Sequence, residues 1–165
     1  MEYSYRFRIY PTPAQEVLIQ KTFGCARFVY NHFLAQRIAE YQATGKAPTR
    51  FQQDKMLTSL KKELLWLKEV DSIPLQAELQ NLDAAYQGFF RRVKKGENPG
   101  YPRFKSKRDR RKSYKTKQHV SNGKPTIWVD GEHIRLPKLG LVKCRVSKEV
   151  EGRILSATVS QAPSC

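Results

Sequence analysis

The fold is decided by residues 3–15, YSYRFRIYPTPAQ, where the pattern of side chains changes from that of a strand to that of a helix. Residues 3–10 alternate between an aromatic, apolar face and a face that carries Arg6 and Arg8, which is the period of a half-buried β-strand. Thr12 then predicts a helix N-cap, because Pro13 suits the first helical position and Gln15 completes a capping box. The chain therefore begins with a strand that leads directly into a helix.

The residues that follow predict two helices joined at Gly24, which can adopt the left-handed conformation of a helix end. In outline this pair, over residues 13–43, resembles a helix-turn-helix, although most paired helices pack together without binding DNA. Arg27, Asn31 and Arg37 lie on the polar flank of the second helix. They are candidates for phosphate contacts or for simple exposure to water, and the residues favour neither.

Two more helices follow. Thr49 begins a second capping box that predicts a helix to about residue 65, and a fourth helix with an apolar stripe is predicted to begin after residues 71–74, DSIP. A stripe of amides beside it includes Gln76, which is a candidate reader of adenine edges or, more simply, an exposed residue of good helix propensity. Cations precede the helix end at Gly96, where the helix dipole is negative: Arg91, Arg92, Lys94 and Lys95.

The last third of the chain predicts antiparallel strands. Asp130 and Gly131 signal the turn of a hairpin, and residues 143–146 and 154–160 are further strand candidates. No helix lies between them, so they should pair antiparallel, together with the strand at residues 3–10. The sequence therefore predicts an α+β fold with a helical bundle inserted between the first strand and the last ones.

Positive charge is concentrated in one segment. The 165 residues carry a formal net charge of +16, and residues 91–117 contain 13 basic and 2 acidic side chains, a net charge of +11. An excess of this size indicates a polyanionic partner, for which nucleic acid is the first candidate. Tyr101, Phe104 and Tyr114 lie among the cations, where aromatic rings can stack on bases. The alternative is a solvated tether, because a basic run repels itself and stays extended.

Other classes of protein find no support in the residues. No apolar stretch approaches the roughly 20 residues of a membrane-spanning helix and no signal peptide is evident, so we expect a cytoplasmic protein without a membrane partner. Cys25, Cys144 and Cys165 form no CxxC pair, which argues against a disulfide framework and a structural zinc site. Carboxylate clusters, activated nucleophiles and glycine-rich phosphate loops are not evident. We therefore expect a binding protein with no cofactor, metal ion or small-molecule substrate.

Several short fragments, in a fixed order, carry a family resemblance. They are YRFRIYPT at 5–12, GCARFVYN at 24–31, WL at 66–67, LQ at 75–76, FF at 89–90, GYPRFK at 100–105 and LPKLG at 136–140. Together they resemble the amino-terminal half of TnpB (OrfB), the insertion-sequence proteins often labelled transposases. Full-length members of that family are RNA-guided DNA nucleases related to type V CRISPR effectors. The resemblance covers essentially the whole chain.

This resemblance implies an antiparallel, wedge-like or barrel-like sheet, formed by residues 1–10 with 118–165, that holds guide RNA. It implies a helical recognition lobe at residues 11–95, over the guide–target duplex, and a basic nucleic-acid-binding segment at residues 96–117. It makes Gln76 a candidate base-edge reader. The candidate contacts to RNA or DNA are Arg6, Arg8, Arg27, Asn31, Arg91, Arg92, Lys94, Lys95, Tyr101, Arg103, Phe104, Lys105, Lys107, Arg108, Arg110, Arg111, Lys112, Tyr114, Lys115 and Lys117.

The resemblance also bears on catalysis. Family members continue into a RuvC-type nuclease domain whose metal-binding carboxylates lie beyond the matched region, whereas this sequence stops at Cys165. We therefore expect a truncated transposase-type protein that binds guide-type RNA and target DNA, without cutting, near the nucleoid of a prokaryotic cell. An active endonuclease and an inert gene remnant are the alternatives. The first requires carboxylates that the sequence does not reveal, and the second predicts no cooperative unfolding transition.

Overall fold

Helices and strands occupy separate parts of the chain in the computed structural model, which describes residues 2–162, so the fold is α+β as predicted. The helices are α1 (Pro13–Thr44), α2 (Arg50–Glu63) and α3 (Ser72–Lys94), with a 3-10 helix at Leu65–Glu69. The strands are β1 (Arg8–Tyr10), β2 (Lys112–Lys117), β3 (Val120–Ser121), β4 (Lys124–Pro125), β5 (Trp128–Val129), β6 (His133–Leu136), β7 (Gly140–Arg145) and β8 (Ser156–Gln161).

Helix α1 begins where the sequence predicts and continues where the sequence predicts a break. Thr12 Oγ1 accepts a hydrogen bond from the Gln15 backbone N–H at 3.2 Å, and the Gln15 side chain accepts one from the Thr12 N–H at 2.9 Å. The predicted helix end at Gly24 is wrong, because one helix of 32 residues runs through it. Gly24 lacks the positive φ of a helix end. Burial of Phe23 and Cys25 on either side outweighs the roughly 1 kcal/mol that glycine costs inside a helix.

Helix α2 begins at its predicted signal, whereas α3 begins at Ser72, inside the stretch that was predicted to precede it. Thr49 caps α2 through a second capping box with Gln52. Asp71 caps α3, because its side chain accepts a hydrogen bond from the Ile73 N–H at 3.2 Å. Gly96 follows the last residues of α3 with a φ of 70°, the left-handed conformation expected after a helix.

Two apolar cores pack against different turns of α1. The helical core joins later turns of α1 to α2, the 3-10 helix and α3, and includes Phe33, Leu34, Leu57, Leu67, Leu75, Leu79 and Leu82. The second core joins the first turns of α1 to the strands and includes Ile19, Phe23, Tyr114, Ile127, Leu136, Val142 and Val159. Helix α1 therefore connects the helical part of the fold to its β part.

The strands pair antiparallel, as predicted, but form an open arrangement. A four-stranded sheet has the order β1-β7-β6-β5, and two ribbons pair β2 with β8 and β3 with β4. Over residues 2–162 this sheet is not closed into a barrel. The predicted strand at residues 3–10 is paired only at Arg8–Tyr10, where Ile9 opposes Cys144. Burial nevertheless alternates through residues 5–10 with the predicted period.

Strand β2 lies inside the basic segment. All six of its residues pair with β8, and Thr116 Oγ1 donates a hydrogen bond to Asp71 Oδ2 at the start of α3. The solvated-tether alternative is therefore wrong for residues 112–117, because strand pairing and burial outweigh the charge repulsion within the run. Among the described helices, none combines the length and the apolar composition needed to span a bilayer.

Candidate nucleic-acid interface

The solvent face of the four-stranded sheet is cationic. Directly opposed residues of an antiparallel pair project to the same face, and Arg8 opposes Arg145 while Tyr10 opposes Lys143. The row continues onto the next strand, where Lys143 opposes His133. All of these side chains are exposed or half-exposed, whereas the residues between them on β1 and β7 are half-buried or buried. Antiparallel pairing thus brings cations from both ends of the chain together.

A second row on the same face combines an aromatic ring with a guanidinium. Arg135 of β6 opposes Leu141 on one side and Trp128 on the other. Sequence reasoning did not select Arg135, Lys143 or Arg145. The available signal was the alternation in β7, where Lys143 and Arg145 flank the buried Cys144.

The β2–β8 ribbon carries cations opposite hydroxyl groups. Lys115 opposes Thr158 and Lys117 opposes Ser156, and all four of these side chains are exposed, whereas Thr116 between the two lysines is buried. Ammonium and hydroxyl groups both donate hydrogen bonds to phosphate oxygens. This face is therefore suited to a nucleic-acid backbone.

The other face of β2 belongs to the core. Tyr114 is 5% exposed and packs edge-on against Phe23, with ring centroids 5.6 Å apart. Burial raises the pKa of Tyr114, and the charge of Asp71 raises it further. The prediction that Tyr114 stacks on a base is wrong, because neither face of its ring is accessible. Lys112, on the same side of the strand, is half-buried.

The rest of the basic segment is attached to the helices at two places, the first of which is the end of α3. Arg92 Nε donates a hydrogen bond to the Pro99 carbonyl oxygen at 2.6 Å, and its Nη2 donates to that of Gly100 at 3.3 Å. The hydroxyl groups of Tyr101 and Tyr86 are hydrogen-bonded at 2.7 Å. Burial raises the pKa of Tyr86, and the hydrogen bond with Tyr101 raises it further, so this phenol stays neutral.

The second attachment is at Lys105. The Asn31 amide donates to the Lys105 carbonyl oxygen at 2.9 Å, and Asn31 Oδ1 accepts from the Lys105 N–H at 2.7 Å. Lys105 Nζ lies 2.8 Å from Glu78 Oε2 and 4.3 Å from the centroid of the Tyr30 ring. The structure thus uses Asn31 and Lys105 to position the segment, so neither side chain is free for an external phosphate.

Most other predicted contact residues lie on the surface. Arg27, Arg92 and Lys112 are half-buried. The exposed ones are Arg6, Arg8, Gln76, Arg91, Lys94, Lys95, Tyr101, Arg103, Phe104, Lys107, Arg108, Arg110, Arg111, Lys115 and Lys117. Within residues 2–162, none of these exposed cations forms an ion pair with a carboxylate. They remain available to an anionic partner.

Arg37 is inside the helical core, so the expectation that it lies on a polar flank is wrong. Its side chain is 7% exposed, with Nη2 3.3 Å from Asp83 Oδ1. Its Nε donates a hydrogen bond to Gln53 Oε1 at 2.9 Å, and its guanidinium lies 4.8 Å from the centroid of the Tyr86 ring. These partners come from α2 and α3, which is why the spacing within α1 does not reveal them.

The described part of the chain offers charge and hydrogen bonds rather than a cluster of reactive groups. No group of three or more His, Cys, Asp or Glu side chains in residues 2–162 is placed to hold a metal ion. Cys25 and Cys144 are buried free thiols, and burial raises the pKa of both, which keeps them protonated and unreactive at neutral pH. Cys165 lies outside the described residues.

Comparison with known proteins shows several similarities. A family model described as a helix-turn-helix domain, of the OrfB_IS605 type, matches residues 1–46, which contain β1 and the whole of the single helix α1. A protein of Escherichia coli (strain K12) named "Putative RNA-guided DNA endonuclease InsQ" is 32% identical over 161 residues, which are 96% of this chain and 37% of that protein.

Two further relatives differ in length. A "Putative RNA-guided DNA endonuclease" of Streptomyces pristinaespiralis is 38% identical over 112 residues, 67% of this chain and 27% of that protein. "Virulence protein VsdF" of Salmonella dublin is 36% identical over 104 residues, 58% of this chain and 87% of that protein. The matched regions span 37% and 27% of the two relatives named as endonucleases.

Proposed function

Because the chain belongs to the TnpB (OrfB) family of insertion-sequence proteins, we propose that it binds nucleic acid, with guide-type RNA and target DNA as its partners. The observation that carries this proposal is the direct opposition of Arg8 and Arg145 on neighbouring strands. Like charges in this position destabilise a sheet in the free protein. A polyanion on this face removes that repulsion, and its phosphates replace small counterions around the cations.

The proposal assigns different contacts to different parts of the surface. The β part, residues 1–10 and 118–165, holds an RNA backbone through Arg8, Lys143 and Arg145. Residues 96–117 add phosphate contacts through their exposed cations. Gln76, on the helical part at residues 11–95, faces the base edges of a DNA duplex. The exposure of these side chains and their lack of carboxylate partners among the described residues support this assignment.

The salt dependence of binding tests the proposal. Fluorescence anisotropy with labelled structured RNA, and separately with duplex DNA, gives the dissociation constant across a salt series. The logarithm of the association constant should fall with the logarithm of salt concentration, by about 0.7 to 0.9 per phosphate neutralised. A flat salt response, or no binding at low salt, would contradict the proposal.

A charge-matched pair of variants tests the sheet face itself. R8Q/R145Q removes two positive charges from opposed positions, and K46Q/K55Q removes two exposed positive charges outside the sheet. We expect R8Q/R145Q to reduce the magnitude of the salt slope by about 1 to 2. The K46Q/K55Q control should retain the slope of the unmodified protein, and equal slopes for the two variants would contradict a role for this face.

The proposal assigns binding and not cleavage to this chain. Supercoiled plasmid incubated with the protein, a guide-type RNA and magnesium should remain intact, and strand scission would contradict the assignment. Thermal unfolding followed by circular dichroism should show one cooperative transition. Its absence would favour an inert remnant.

A further inference from the structure

A cleft between the helical part and the sheet is lined by four cations from four different elements. Its volume is about 390 Å³. Lys61 comes from α2, Lys68 from the 3-10 helix, Arg135 from β6, and Lys138 from the turn between β6 and β7. None of the four was predicted from the sequence to contact nucleic acid. They are widely separated along the chain, so only the tertiary structure brings them to one cavity.

The four cations of the cleft outnumber its one acidic residue. None of the four forms an ion pair with a carboxylate within the described residues. The one acidic residue in the lining is Asp71, which offsets one of the four positive charges and accepts a hydrogen bond through each of its oxygens. Oδ1 accepts from the Ile73 N–H at the start of α3, and Oδ2 accepts from Thr116 Oγ1. The lining therefore carries an uncompensated excess of positive charge.

Like charges that line one cleft repel one another in the free protein. Burial lowers the pKa of Lys61. The negative charge of Asp71 raises this pKa, and the positive charge of Lys68 lowers it. An anion in the cleft would relieve the repulsion between the cations.

The chemistry of the lining indicates which anion fits. Arg135 presents a planar fork that matches two oxygens of a phosphate, and the lysines add point charges around it. A volume of about 390 Å³ is near the lower end of ligand pockets, roughly 300 to 1,000 Å³, so it admits a phosphate with part of its sugar and not a duplex. Arg135 also lies in the second row of the sheet face, so a strand bound on that face can continue into the cleft.

We propose that this cleft is a phosphate-binding site, occupied in the nucleic-acid complex by a phosphodiester group of the bound strand. Only the source of the phosphate rests on the proposed function. Free phosphate and nucleotides share the same chemistry, so the experiment has two arms that separate these sources.

Three variants make the test. K68Q/K138Q removes two exposed cations of the cleft. K62Q/K124Q removes two exposed cations outside it and is the charge-matched control. K68R/K138R keeps the charges. Because all of the substituted side chains are exposed, we expect each variant to fold, which far-UV circular dichroism verifies.

The first arm uses inorganic phosphate alone. Phosphate should raise the melting temperature of the unmodified protein, K62Q/K124Q and K68R/K138R above that in chloride at equal ionic strength. K68Q/K138Q should lose this shift, because a ligand stabilises only a protein that binds it.

The second arm uses labelled structured RNA across a salt series. K68Q/K138Q should reduce the magnitude of the salt slope by about 1 to 2. If the slope of log association constant against log salt concentration is smaller by 1 in magnitude, and the affinities are equal at 1 M salt, the variant binds about tenfold more weakly than the unmodified protein at 0.1 M salt. The K62Q/K124Q control should keep the slope of the unmodified protein.

The outcomes separate the two proposals. A loss specific to K68Q/K138Q with RNA supports a strand phosphate in the cleft, and a specific loss with inorganic phosphate alone supports a phosphate site filled by a free anion. If K68Q/K138Q and K62Q/K124Q show the same melting shift with phosphate and the same salt slope with RNA, the proposed phosphate site is contradicted. If the unmodified protein binds no nucleic acid, the proposed function is contradicted. The experiment with inorganic phosphate still tests whether the cleft binds phosphate.

Discussion

Replacing Lys105 by methionine tests how the basic segment is held on the helices. Lys105 Nζ lies 2.8 Å from Glu78 Oε2, and the Glu78 side chain is 7% exposed. Methionine keeps an apolar side chain of similar length but leaves a buried carboxylate without its cation. Removing one partner of a fully buried pair costs about 3 to 5 kcal/mol, and an exposed pair contributes about 0 to 1 kcal/mol. The Lys105 side chain is 40% exposed, so we expect Lys105→Met to lower the free energy of unfolding by about 1 to 3 kcal/mol.

Urea denaturation followed by circular dichroism measures this loss. Lys107→Met is the matched control, because Lys107 is exposed and has no carboxylate partner among the described residues. It should change the free energy of unfolding by less than about 0.5 kcal/mol. Adding Glu78→Gln to Lys105→Met removes the uncompensated charge, so the double variant should recover most of the loss. Equal effects of the two lysine substitutions, or no recovery in the double variant, would refute the reasoning.

Three further predictions test the helix, the core and a turn. Gly24→Ala should stabilise the protein by about 0.5 to 1 kcal/mol in urea denaturation, because an added Cβ meets no atom closer than 3.9 Å; destabilisation would indicate a helix end there. Tyr114→Ala should cost about 3 to 5 kcal/mol, as for a buried aromatic residue, and a cost below 1 kcal/mol would contradict its burial. Two backbone N–H groups donate to the Asp130 carboxylate and lower its pKa; the resulting stabilisation is present above the ordinary pKa of about 3.9 and is lost as pH falls through the lower folded value. An NMR titration that gives an ordinary or raised pKa would contradict it.

Short-range signals located the starts of α1 and α2 and the hairpin turn. The capping boxes at Thr12 and Thr49 and the turn at Asp130 depend on hydrogen bonds between residues at most three positions apart, so the sequence contains all that they need. At Gly24 the local signal gave a wrong prediction. The flexibility of Gly24 permits a break, but contacts made by α1 with two separate cores keep the helix continuous.

The uses of individual basic and aromatic residues were not predictable in the same way. Composition located the basic segment, but it did not separate Lys105, which pairs with Glu78, from Lys107, which has no such partner in the described residues. Tyr101 stays partly exposed, while Tyr114 is buried by a strand pairing whose partner, β8, lies at the other end of the β part. A side chain's role depends on neighbours that the local sequence does not contain.

The sequence by itself determined the α+β class, the family resemblance and the cationic character, because periodicity, motifs and composition are properties of the chain. Tertiary structure alone decided which charges share a surface. It set Arg8 opposite Arg145, and it brought Lys68, Arg135 and Lys138 around one cleft. Electrostatic interaction depends on distance in space, so charges far apart in the sequence act together only after the strands have paired and the helices have packed.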